Sequence, residues 1–267
     1  MKLRVGYEIT YDFPQPTPLI GMLNIHYTRV ADLAAPDHIR TTPSVPISGY
    51  RDLYGNWCSR ILAPGGRMTL STDALVSDSG QADALAPDAA QTPVEALPEE
   101  AIVFLLPSRF CDSDRLQDLA WSLFSQTRPG WARVQAICDF AHNHIAFGYD
   151  FASVTRTASE AYEEGKGVCR DYAHLAVALC RALNIPARYC TGYLGDVGTP
   201  PPWPPGDFAA WFEAWLGGQW HIFDARNNTP RIGRVLIARG RDAADVPIAT
   251  TFGPNTLVGF KVWTDEV

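Results

Sequence analysis

The feature that most constrains this chain is a change of period between residues 169 and 224. Cys169, Tyr172, Ala173, Ala176, Cys180 and Leu183 fall on one helical stripe, which Asn184-Ile185-Pro186 ends. Extended character follows at once. Ala187–Leu194 reads as a strand, and Phe208–Leu216 and Gln219–Asp224 read as two more, joined at Gly217-Gly218, a strong hairpin signal. A second helical stripe lies upstream, with Val134, Ile137, Cys138, Ala141 and Ile145 inside Arg133–Phe147. Helices followed by an antiparallel sheet make this half α+β.

The first half has a different texture. Leu3–Tyr11, Met22–Val30 and Met68–Leu75 read as strands, separated by prolines such as Pro14, Pro16, Pro18 and Pro36 and by a Gly65-Gly66 turn. The expected organisation is an N-terminal β-sheet or β-sandwich over residues 1–76, an exposed, loosely packed connection over 77–105, and an α+β core over 106–267. The connection is rich in Ala, Asp and Pro and poor in large apolar side chains. No internal repeat is visible.

Composition narrows the function classes. A chain of 267 residues with 46% hydrophobic and 19% charged side chains is globular, not disordered, collagenous or a coiled coil. A net charge of -7 argues against nucleic acid as a partner. No apolar run approaches the roughly 18 residues of a membrane span, and the N-terminus alternates like a strand rather than carrying a signal peptide's apolar core. The expectation is a cytoplasmic protein without a membrane partner. Cys58, Cys111, Cys138, Cys169, Cys180 and Cys190 include no CxxC pair. With no metal-ligand cluster, phosphate loop or dinucleotide fingerprint, neither metal nor cofactor is expected.

Cys169 stands apart from the other cysteines. It follows Gly165-Lys166-Gly167-Val168 and opens the helix, where the backbone dipole and unpaired N–H groups favour a thiolate and could hold an oxyanion. The same pattern fits a buried structural cysteine. The hairpin supplies geometry. With Gly217-Gly218 as the turn, Leu216 pairs with Gln219, Trp215 with Trp220, Glu213 with Ile222, Trp211 with Asp224 and Ala209 with Arg226. One face then carries Ala209, Trp211, Glu213, Asp224 and Arg226, and the other carries Ala210, Phe212, Ala214, Leu216, His221 and Phe223. A histidine at 209, oriented by Asp224, would complete a nucleophile–base–orienter set, but the residue there is Ala209.

Several ordered motifs now coincide: Gly167-Val168-Cys169-Arg170-Asp171-Tyr172, Asn184-Ile185-Pro186-Ala187-Arg188-Tyr189, Gly192-Tyr193, Ala210-Trp211-Phe212-Glu213-Ala214, and Trp220 with Phe223-Asp224. Together they resemble the bacterial transglutaminase-like superfamily, over residues 140–267 most strongly. The resemblance implies a papain-like core with a Cys-His-Asp triad and an N-terminal β region. By position, Cys169 matches the nucleophile and Asp224 the orienting carboxylate. The family's His-Ala-Trp motif falls on Ala209-Ala210-Trp211, so this chain departs from the pattern at the base.

No other histidine takes the place of the base. His221 lies on the opposite face of the ribbon, His174 points about 140° round the helix from Cys169, and His142 and His144 sit on the preceding helix. The expected substrate contacts are Trp211, Glu213, Arg226 and Trp203. Arg226 pairs with Asp224 or Glu213, or else clamps a substrate carboxylate. Trp203 lies in the stiff Pro200–Pro205 loop, a candidate rim. Three functions stay open. One is thiol-based amide hydrolysis or acyl transfer on a peptide or protein substrate, impaired by Ala209. The others are a non-catalytic peptide- or protein-binding member, and an active enzyme inactivated by a replacement at position 209.

Overall fold

The computed structural model describes residues 1–267. The N-terminal strands are β1 Lys2–Phe13, β2 Thr17–Gly21, β3 Leu33–Ala35, β4 Arg40–Thr42, β5 Ile47–Arg51, β6 Trp57–Ala63 and β7 Gly66–Ser77. The helices are α1 Glu99–Ile102, α2 Gln117–Phe124, α3 Trp131–His144, α4 Ala158–Glu164 and α5 Cys169–Ala182. Short strands β8 Ala146–Phe147 and β9 Lys166–Gly167 pair in parallel just ahead of α5. The remaining strands are β10 Ala187–Tyr193, β11 Phe208–Leu216, β12 Gln219–Phe223, β13 Val235–Gly240, β14 Ala249–Thr251 and β15 Thr256–Glu266.

These strands form three antiparallel sheets. The first runs β15-β1-β7-β3, with β4 also on β7; the second runs β14-β2-β6-β5; the third runs β12-β11-β10-β13. Alternation explains the first two. Leu3, Val5, Tyr7 and Ile9 of β1, Met68, Leu70, Ala74 and Val76 of β7, and Cys58, Ile61 and Ala63 of β6 point into one core. That core does not stop at the N-terminal sheets. It continues through Tyr189, Tyr193, Phe208, Ala210, Val235 and Ile237 of the third sheet. A second core packs α2, α3, α4 and α5 against Phe212, Ala214 and Leu216 of β11.

β11 therefore carries both cores on one face. The even residues from Phe208 to Leu216 are all buried, and the hairpin register runs from Leu216↔Gln219 to Phe212↔Phe223, as its two-glycine turn predicts. β12 ends at Phe223, so the ladder stops one step before Asp224.

The structure departs from the sequence reading in the β half. Met22–Val30 is not a strand. His26 caps a 3-10 helix at Tyr27–Asp32 by accepting the Thr28 N–H, and the Asp37 carboxylate takes the Ile25 N–H at 2.5 Å. Side-chain acceptors here replace the sheet ladder. Conversely, β2 lies among prolines expected to break structure: Pro18 sits within it, and its carbonyl accepts the Phe252 N–H. The connection over 77–105 is anchored rather than loose. Asp83 donates its N–H to the Arg231 carbonyl, Gln91 bridges to Leu216, and Trp131 donates to the Ala89 carbonyl. The span 106–267 is also not self-contained, because β15 returns to pair with β1 from Leu3↔Glu266 to Asp12↔Thr256.

Removing β15 would leave β1 as an open edge beside a core whose Val262 is buried. A chain ending at Asn255 is expected to melt at least about 5 °C below the full chain, a loss of about 2 kcal/mol or more for a domain of this size. An unchanged melting temperature would show that the first sheet is complete without its last strand.

Candidate active site

The site begins with a turn that only certain residues can make. α4 ends at Gly165, in the left-handed region at φ 63°, and β9 leads to Val168, the cap residue of α5. Asp171, fully buried in the first turn, accepts the Val168 N–H at 2.8 Å and an Arg156 N–H at 3.2 Å. Arg156 also pairs with Glu164 at 2.9 Å and donates to the Phe151 carbonyl at 2.7 Å. A Cβ on Gly167 would meet the Asp171 carboxylate at 2.5 Å, so glycine is required beside this cap. The cap fixes Cys169 as the first residue of α5 and the only cysteine that is not fully buried.

Cys169 opens into a cleft of about 790 Å³. The walls come from separate parts of the chain: Phe147 and Tyr149 after α3, the loop from Leu194 to Asp207, Ala209 of β11, Arg226 and Asn227 after β12, and Val262–Glu266 of β15. No histidine lines it. His174 is buried in the core, stacked on Phe110 and accepting the Ala243 N–H at 3.2 Å. His221 is buried against Trp131 near the Leu216 carbonyl, and His142 lies behind the site at the Ala225 and Arg226 carbonyls.

Electrostatics at Cys169 run against the helix-dipole expectation. Burial pushes the thiol up to about 12; the Asp207 and Asp224 carboxylates push the same way, against the N–H groups of Ala210 and Arg170. Asp207 is itself raised above its ordinary value by burial, opposed by the Phe208 N–H at 2.7 Å. Tyr149 is raised by burial and then by Asp207 and Cys169. Sequence reasoning passed over Asp207 and Tyr149; the one available signal was that Asp207 stands two residues before Ala209, the spacing of one strand face.

The expected contact residues divide. Trp203 and Arg226 line the cleft, with Trp203 59% exposed and its ring N–H on the Thr199 carbonyl at 3.1 Å. Trp211 does not: it is buried with Cys190 and Leu236. Glu213 is held at 2.5 Å by Arg188 and at 3.8 Å by Arg239, away from the cleft. Arg226 pairs with neither carboxylate assigned to it. Its guanidinium lies 3.9 Å over the Phe147 ring, while only its backbone N–H reaches Asp224.

Asp224 pairs instead with Arg234 at 3.1 Å, and takes N–H groups of Arg226 and Asn227 and the Asn227 side chain. Arg234 also holds Asp83 at 2.9 Å and lies over Trp211 at 4.7 Å. The carboxylate one step beyond the hairpin ladder is thus locked from behind by a buried arginine.

Comparison with known proteins decides the family. A family model described as the transglutaminase-like superfamily matches residues 117–225. A solved structure described as a candidate cysteine protease from Cytophaga hutchinsonii is 34% identical, covers 99% of this chain and 90% of its own, and superposes with a TM-score of 0.86. An uncharacterized protein of Mycobacterium tuberculosis is 30% identical over 79% of this chain and 75% of its own length. The chain belongs to the transglutaminase-like superfamily. Within that superfamily fold, Cys169, Ala209 and Asp224 all lie inside the matched residues.

Two measurements test this transglutaminase-like site. Arg234→Ala would leave Asp83 and Asp224 without their shared cation, and is expected to lower stability by about 3–5 kcal/mol in urea denaturation; a loss below about 1 kcal/mol would show the pairings to be incidental. The thiol's position predicts slow labelling. Against a thiol at 9, one at about 12 holds roughly a thousandth of the thiolate at pH 8. Iodoacetamide should modify Cys169 about a thousandfold more slowly than a free cysteine, with a rate rising about tenfold per pH unit. A rate that levels off near pH 7 would contradict the raised thiol.

Proposed function

We propose that this cleft binds a peptide or protein chain at an amide and that Cys169 performs thiol-based hydrolysis or acyl transfer on it, slowly in this chain. The observation that carries the reading is Cys169 at the head of α5, the one partly exposed cysteine, opening into the large cleft. Thiol attack on the amide carbonyl would give an acyl-enzyme and release the amine once it takes up a proton; water or a second amine would then remove the acyl group. The likeness to the Cytophaga protein, described as a candidate cysteine protease, supports this chemistry. Six free thiols suit a reducing compartment, consistent with a cytoplasmic protein.

The slowness follows from Ala209. Its methyl group borders the cleft where the family places an imidazole, so nothing there accepts the thiol proton. General-base assistance typically contributes about 10²–10⁴-fold. The raised thiol also favours a second reading, a cleft that binds peptide without reacting.

The test is acylation by a peptide p-nitrophenyl ester, followed by intact mass and peptide mapping. The chain is expected to acylate slowly at Cys169, and Ala209→His to accelerate this about 10²–10⁴-fold with an inflection near pH 6.5. Absence of any adduct in both proteins would replace thiol chemistry with the binding reading. An adduct in both at one unchanged rate would show that position 209 does not face the thiol.

A further inference from the structure

The charges inside the cleft are unevenly satisfied. Arg231 is engaged by Asp196 at 3.6 Å, the Gly195 carbonyl at 2.7 Å and Asn227 at 2.9 Å. Asp224 is buried behind the cleft, does not line it, and is neutralised there by Arg234. Asp207 has no cation. The backbone N–H of Phe208 is its only hydrogen-bond donor, and no arginine or lysine forms an ion pair with it. It is nevertheless largely removed from water, and it is the foremost charge acting on the Cys169 sulfur. Arg226 also lacks an ion pair, but its guanidinium is spread on Phe147.

An unpaired, half-buried carboxylate is costly unless something completes it. The walls around it show what fits. Tyr149 and Trp203 line the same cleft with their rings half exposed or more, and cations are held well between such rings and a carboxylate. Asp265 and Glu266 at the exposed end of β15 add negative charge at the rim, with no ion pair of their own. A neutral or anionic side chain would leave Asp207 as it stands.

We propose that Asp207 is the specificity residue of this cleft, receiving an ammonium or guanidinium group of the substrate beside Cys169. The assignment rests on the proposed thiol site but concerns a different group. A bound cation would also lift the like-charge penalty on the thiolate, so the correct substrate would ready the nucleophile that attacks it.

The test uses three methanethiosulfonate reagents that differ in charge: aminoethyl, methyl and sulfonatoethyl. In each, the Cys169 thiolate, its proton lost to buffer, attacks the sulfenyl sulfur. A mixed disulfide forms, and methanesulfinate leaves with the bonding electron pair. Rates at Cys169 are read by mass spectrometry of its peptide. The ratio of ammonium to sulfonate rates reports the local field and cancels the thiolate fraction. The chain is expected to favour the ammonium reagent, and Asp207→Asn to cut that preference about tenfold while keeping an acceptor for the Phe208 N–H. Asp265→Asn, at the rim, should change it less than about twofold. An unchanged ratio in Asp207→Asn, or a preference for the sulfonate reagent in the unaltered chain, overturns the assignment while leaving the thiol reading standing. Silence of Cys169 toward all three reagents overturns the accessible thiol, and both readings with it.

Discussion

The alternation of β11 is the constraint on which the rest of this molecule depends. Its even residues, Phe208 to Leu216, are buried without a break, but they are buried against two different partners. Phe208 and Ala210 meet the N-terminal sheets, and Phe212, Ala214 and Leu216 meet the helices. One strand thereby fixes the β region against the α+β region. A slip of one residue would expose all of these side chains and bury Glu213 unpaired. The odd face is left for polar work. At one end it carries the Glu213–Arg188 pair, and at the other Ala209 at the cleft.

The site shows how local and environmental electrostatics compete. A helix N-terminus favours a negative charge by about 0.3–1 kcal/mol, and about 2 kcal/mol in partly buried settings. Moving a thiol from 9 to about 12 corresponds to about 4 kcal/mol against ionisation. Burial with two nearby carboxylates therefore outweighs the dipole and the two N–H groups aimed at the sulfur. A helix-start position alone does not make this thiol acidic, because no cation acts on the sulfur to offset its burial. In this chain position 209 supplies a methyl group, and the foremost charge acting on the sulfur is that of Asp207.

The contrast between sequence and structure follows the range of each interaction. The α5 stripe and the Gly217-Gly218 hairpin were legible because their signals are local, and the register held to its last pair at Phe212↔Phe223. The family motifs were legible for the same reason, since each is a short run. Partner choice among arginines was not. Arg226 neighbours Asp224 in sequence, yet Arg234, just ahead of β13, takes the carboxylate and holds Asp83 with the same guanidinium nitrogen. Asp83 lies in a segment whose composition reads as a loose connection, and nothing near it in sequence announces its partner. β15 was misplaced on the same account: its pairing with β1 spans nearly the whole chain. Met22–Val30 failed for the opposite reason, a local competitor. His26 and Asp37 offered the backbone side-chain acceptors that hydrophobic alternation cannot reveal.

The return of β15 also changes what the N-terminal region is for. Val262–Glu266 forms a wall of the cleft, and that strand is held by β1 across its full register. Trp263 is further fixed by the Asp73 carboxylate at 3.2 Å and by Arg4 at 5.8 Å over its ring. Asp73 in turn holds Arg4 at 2.8 Å. The stretch of β15 that walls the cleft is thus set by residues of β1 and β7, remote in sequence from the nucleophile. The thiol and the position-209 methyl belong to the α+β part, while this wall of the cleft belongs to the β part. Because β11 buries its even face in both, the two walls cannot move independently without breaking one of the cores. The N-terminal sheets are therefore a structural component of the cleft, and a cleft excised as the helical core alone would lack the wall that β15 forms.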